Sequence, residues 1–192
     1  PSRGLGDVYK RQIITPYTFT YYENDIKEND LVLVVTQSGL STNAIEALKI
    51  IKKKQCRAIC LTGNKNSDVK DVADVVIEYG VGEELVGYVT KGVSSLALFL
   101  DLFAIAYSGK SEYLEELKKA VHLNEEMIGK ATSFIQLHYK EFSSMSWVYS
   151  CGAGANYGTA LESALKMGET IHIPSCCYEI EEYINGPNLQ LT

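Results

Sequence analysis

Four hydroxyls, one carboxamide and one glycine fill residues 36–42, Thr-Gln-Ser-Gly-Leu-Ser-Thr. They stand between an apolar run, LVLVV (31–35), and a stretch with helical spacing, NAIEALKIIKKK (43–54). A helix starting there presents N–H groups without intrahelical partners and the positive end of its dipole. Gly39 lets the backbone approach a ligand closely, and Thr36, Ser38, Ser41 and the Gln37 amide add hydrogen-bond donors. This donor set suits a phosphate group held without a lysine. Ordinary N-capping by Ser41 or Thr42 also accounts for one hydroxyl, and both readings stand at this level.

A second group of reactive side chains lies in TALESALKMGETIHI (159–173), which carries Glu162, Lys166 and Glu169. Lys166 and Glu169 are three apart and share a helix face, as a surface ion pair would. His172, one turn beyond Glu169, reads either as its partner or as a helix-end residue, while His122 and His138 fall in a polar stretch and read as solvated. CGAGANYG (151–158) contains Gly152 and Gly154 but has Tyr157 where a dinucleotide fingerprint needs glycine, so no nicotinamide or flavin cofactor is expected. The five cysteines form neither a zinc pattern nor a disulfide framework and read as reduced, packing thiols of a cytoplasmic protein. No metal is expected.

The elements that must position these groups follow from periodicity. LVLVV (31–35), RAICLTG (57–63) and DVVIEYG (74–80) read as buried parallel strands, alternating with helices over 43–54 and around 67–73. That alternation predicts a right-handed α/β unit with helices on both faces of the sheet. LALFLDLFAIAY (96–107) carries Asp101, is too short to span a bilayer, and reads as part of a buried helix over about 91–107. Residues 111–141 read as a polar helical connector. After Ser143 a second α/β unit opens with a strand, SMSWVYS, the glycine-rich turn, and a helix over 159–173 stopped by Pro174.

Over the 192 residues, a 46% apolar and 22% charged composition is that of an ordinary globular protein, and a net charge of -6 argues against a nucleic-acid partner. Lys52, Lys53 and Lys54 read as a solvated helix end. Residues 1–12 lack periodicity and read as a non-native leader, and the chain stops directly after a turn. The expected organisation is a leader (1–12), a first domain (13–110), a connector (111–142) and the start of a second, truncated domain (143–192).

These pieces together resemble the SIS (sugar isomerase) domain family. The likeness is to the tandem-SIS isomerase half of glutamine:fructose-6-phosphate amidotransferase and to the related fructoselysine/glucoselysine-6-phosphate deglycases. The family's phosphate loop, S-Q-S-G-x-[ST], is similar to Thr36-Gln37-Ser38-Gly39-Leu40-Ser41. EELVGYVTKG (83–92) resembles a substrate-loop segment through Glu84, Thr90 and Lys91, and CGAGANYGTALESALKMGE resembles the opening of a second repeat. EEYINGP (181–187) is similar to an E-x-x-H-G-P turn, with Asn185 in place of the histidine.

The resemblance implies a three-layer, flavodoxin-like α/β sandwich with a parallel sheet: a first repeat lacking its opening strand and turn, then the start of a second. It implies a phosphorylated sugar or ketosamine as ligand, a homodimer, and no cofactor, nucleic acid or membrane. Glu169 corresponds to the carboxylate that moves a proton between C1 and C2 of an open-chain sugar phosphate, and Lys166 to the lysine that stabilises the charge. The turn histidine is associated with ring opening, and Asn185 can hydrogen-bond a ring oxygen but carries no proton. The expected activity of the full-length protein is release of an amine and glucose 6-phosphate from a ketosamine 6-phosphate. The alternatives are an aminating isomerase of the glucosamine-6-phosphate synthase type and a sugar-phosphate sensor.

Overall fold

The structure, a computed structural model, describes residues 12–191 apart from residue 83, and of residue 191 only the backbone. All but the last residue of the expected leader lies outside the described residues. The chain divides into two compact units that meet between Ser111 and Glu112.

The first unit opens with α1 (Pro16–Tyr21), where the Thr15 side chain accepts from the Thr18 amide and proline takes a position that needs no donor. Three short strands follow, β1 (Leu33–Thr36), β2 (Ile59–Thr62) and β3 (Val75–Glu78), paired in parallel in that order. Val34, Cys60 and Val76 align across the sheet. The helix between the first two strands, α2 (Thr42–Lys53), buries Ala44, Ala47, Leu48 and Ile51, the i, i+3, i+4, i+7 stripe of a helix lying on a sheet. These residues pack with Val34, Cys60 and Val69 in the main core. Burial pushes the Cys60 thiol up to about 11, which makes it an inert packing group.

The opposite face of the sheet carries a smaller core of Leu61, Tyr79 and Val81, with Leu33 and Ile77, and Leu96 and Phe99 of α3 (Lys91–Ser108) pack against it. Helix, sheet and helix form three layers, the flavodoxin-like arrangement that the family resemblance implies. Two local expectations change. The helix expected around 67–73 is a single 3-10 turn, Asp68–Asp71. The helix expected to be buried over 91–107 is mostly exposed, with only Gly92 fully buried. It is also longer than the apolar run alone suggested. At 18 residues and a mean hydropathy of 1.3, it is long and apolar enough by those two measures to cross a membrane. Apolar on several faces, it covers only what the neighbouring sheet offers, through Leu96 and Phe99.

The second unit begins with α4 (Tyr113–Leu137), a helix with no buried residue and with Glu115–Lys118 and Glu116–Lys119 ion pairs along its exposed face, and continues through α5 (Tyr139–Ser143). Next come β4 (Val148–Gly152), α6 (Ala155–Lys166), β5 (Ser175–Glu179) and α7 (Ile180–Ile184). The sequence reading placed one strand in this unit. The structure adds β5, parallel to β4, just after Pro174. Its residues, Ser-Cys-Cys-Tyr-Glu, lack the β-branched apolar pattern that marks the other strands. The helix also starts at Ala155, inside the glycine-rich turn, rather than at 159. Gly152 permits this: a Cβ there would stand 2.4 Å from the Asn156 carbonyl oxygen.

Leu48 is 0% exposed at the centre of the α2–sheet layer. Leu48→Ala should cost about 2–5 kcal/mol of unfolding free energy, read as a lower urea midpoint with an unchanged slope.

Candidate functional site

β1 ends at Thr36, which is buried, and α2 starts at Thr42, so residues 37–41 cross the carboxyl edge of the sheet. Gly39 has φ +67°, and a Cβ there would lie 1.8 Å from Ser67 Oγ, so glycine is required by conformation and by space. Ser38 Oγ accepts from the Leu40 amide at 3.2 Å and tightens the turn. Ser41 occupies the N-cap position of α2 yet makes no capping hydrogen bond through its side chain. The capping alternative for Ser41 is therefore not realised. An exposed hydroxyl and the open amides of a helix start face the same edge.

Gln37 is engaged at that edge by neighbouring chain segments. Its carbonyl accepts from the Gly63 amide at 2.9 Å and the Thr62 hydroxyl at 3.2 Å. Its side-chain amide donates to Glu84. One of the two N–H donors of this amide is thereby engaged inside the protein. Glu84 in turn gathers the start of α3: its carboxylate accepts from the Thr90 amide (2.9 Å), the Thr90 hydroxyl, the Lys91 amide (2.8 Å) and the Gly92 amide (3.3 Å). The Thr90 hydroxyl, then the Gln37 amide, then the backbone donors hold the Glu84 carboxyl down to about 2. Glu84 and Thr90 thus sit together, joined to the serine-rich loop through Gln37.

In the second unit the α-form of α6 ends at Lys166, and a π-helical turn, Met167–Ile171, carries Glu169. Turns of this kind are frequent at functional sites. Lys166 Nζ bonds Glu169 and lies 3.4 Å from Glu162, giving one ammonium between two half-buried carboxylates. Glu169 first, and Glu162 with it, raise the Lys166 pKa, so the group is an ammonium throughout the neutral range. Glu162 was named by the sequence only as a neighbour, and its i, i+4 spacing to Lys166 was the available signal. His172 closes the π turn in the left-handed region at φ 62°, a helix-end role. Gly154, also at positive φ, precedes α6, and Asn185 is exposed at the end of α7. Glu169 borders a shallow groove with Leu161, Leu165, Gly168 and Cys177. Among the described residues no cluster of His, Cys, Asp or Glu could hold a metal ion.

Because the folded Glu84 pKa lies below its ordinary 4.5, the network is fully formed above about 4.5 and is lost as pH falls toward about 2. The Thr90 and Lys91 amide resonances should hold steady down to the ordinary carboxylate range and move together only below it. In Glu84→Gln that acid transition should vanish.

Residues 17–106 match the family model described as SIS domain. The chain is 30% identical over 177 residues to the isomerizing glutamine–fructose-6-phosphate aminotransferase of Clostridium perfringens, and 28% identical over 179 residues to that of Thermotoga maritima. In each case it spans 88% of this chain and 29% of the relative. A Clostridium difficile 630 crystal structure with a provisional phosphosugar isomerase assignment superposes with a TM-score of 0.82 at 29% identity, over 90% of this chain and 52% of that one. The C-terminal domain of the Francisella tularensis glucosamine-fructose-6-phosphate aminotransferase shares the fold, with a TM-score of 0.81 at 24% identity. Residues 17–106 are thus similar in sequence to the SIS domain family, and the chain shares the fold of phosphosugar isomerase structures.

Proposed function

We propose that the loop over 36–41 holds the phosphate of a phosphorylated sugar, and that the full-length protein acts on a ketosamine 6-phosphate. The observation that carries the first step is Ser41, set at the N-cap of α2 on the carboxyl edge of a parallel sheet with its hydroxyl unspent on capping. Ser38 and the first amides of α2 supply the remaining donors.

Glu169 supplies the base in this reading. It takes a proton from C1 of the open-chain ketosamine and returns it at C2, while the amine N–H proton passes to the C2 oxygen. The imine left at C1 adds water and releases the amine and glucose 6-phosphate. Lys166, held as an ammonium by Glu169 and Glu162, offsets the negative charge that develops on the C2 oxygen. Asn185 hydrogen-bonds the sugar from the turn of a neighbouring copy, which makes the working form a homodimer. A second reading, aminating isomerisation of a ketose 6-phosphate, is favoured by the names of the relatives. Supplying the full-length protein with fructoselysine 6-phosphate, and separately with fructose 6-phosphate and ammonia, separates the two. Glucose 6-phosphate released from the first supports the deglycase. Glucosamine 6-phosphate formed only from the second replaces it with the isomerase. Tight binding with no turnover of either leaves a sensor.

Fructose 6-phosphate should raise the melting temperature while fructose does not. Ser38→Ala with Ser41→Ala should abolish that shift, each lost charge-assisted hydrogen bond costing about 1.5–3 kcal/mol of binding. Equal protection of the double variant rules out the loop as the phosphate site. Glu169→Gln keeps the shape and removes the base, so turnover should fall about 10²–10⁴-fold with ligand affinity nearly unchanged. A fully active Glu169→Gln enzyme would defeat this mechanism.

A further inference from the structure

We infer that Glu84 is a positioning residue that locks the serine-rich loop to the start of α3 through Gln37, so that anion binding at 36–41 and order in 84–92 are coupled. This rests on the phosphate reading of that loop.

The hydrogen bonds of Glu84 all run to the protein. A carboxylate offers about four lone-pair sites. Glu84 Oε1 is taken by the Thr90 amide, the Thr90 hydroxyl and the Lys91 amide, and Oε2 by the Gln37 amide and the Gly92 amide. Every acceptor position is directed into the protein. The same carboxylate satisfies the orphan amides of α3 and occupies the spot where that helix would attract an anion. α2, uncapped at Ser41, keeps its own N-terminus open.

The second half of the link is Gln37, which has little freedom. Its carbonyl is tied to Thr62 and Gly63 at the end of β2. Its side chain lies so close to Gly92 that a Cβ there would stand 1.7 Å from Gln37 Oε1. Its Oε1 is buried without a hydrogen-bond partner, and its Nε2 donates to Glu84. Between Glu84 and Thr90, Leu85, Val86 and Val89 are exposed, and the Glu84 carboxylate accepts from the Thr90 amide across the segment. One carboxylate closes that segment and fastens it to the loop after β1. An anion that fixes residues 36–41 fixes Gln37, and Gln37 fixes the carboxylate on which the 84–92 segment closes.

Residue-resolved amide hydrogen exchange of the protein, with and without fructose 6-phosphate, tests this. In the wild type the ligand should slow exchange at 38–42 and also at Thr90, Lys91 and Gly92. In Glu84→Gln the ligand should still protect 38–42, protection should no longer reach 90–92, and affinity should fall about tenfold, within the usual range of coupling between sites. Wild-type protection confined to 38–42 overturns the coupling and leaves the phosphate reading standing, even if Glu84→Gln fails to fold. Unchanged spread in Glu84→Gln also overturns it. Absence of any ligand effect at 38–42 overturns the phosphate reading, and this inference with it.

Discussion

The carbonyl of Gln37 accepts from the Gly63 amide and the Thr62 hydroxyl, and those two bonds decide where the first loop of the sheet can run. They hold the chain leaving β1 against the chain leaving β2 at the edge where both strands stop. With the main chain held there, the turn must reverse within a few residues to deliver Thr42 to the start of α2. Glycine at position 39 is the solution, since any side chain would collide with Ser67. The placement of Ser38 and Ser41 on the open edge follows from this backbone constraint.

The second unit reaches a comparable concentration of polar groups by a different route. Here the charged groups stand on the helix after β4 rather than on the turn that leads into it. The helix itself changes pitch, from α-helical through Lys166 to a wider turn over Met167–Ile171. Three charges stand along one side of that transition, and the central ammonium neutralises part of the repulsion between its two carboxylate neighbours. Half-burial makes the grouping informative, because fully solvated pairs of this spacing contribute little and impose no geometry.

Much of this was legible in the residues. The β-branched runs at 31–35 and 74–80 and the apolar stripe of 43–54 announced a parallel sheet with helices on it, because buried parallel strands and sheet-facing helices carry unmistakable patterns. The serine-rich loop and the Lys166–Glu169 spacing were legible for the same reason: both are local. What escaped were features made by distant partners. β5 is polar by composition and exists as a strand because β4 lies beside it. The bond from the Gln37 amide depends on a carboxylate 47 positions later, which no local pattern encodes. The exposure of α3 likewise reflects how much surface its own unit supplies, a quantity that composition does not contain.

The unspent hydroxyl of Ser41 has a thermodynamic consequence. A missing N-cap leaves a helix short by about 1 kcal/mol, and here the helix concerned is α2, whose inner face is the main core. An oxyanion bound at that end would complete the secondary structure from outside the chain. Recognition and folding then draw on the same amides, and the native state would tighten by mass action as ligand accumulates. A cell depleted of the ligand would hold a protein with a softened core helix, more open to proteolysis, so that the abundance of the protein would follow the supply of what it binds.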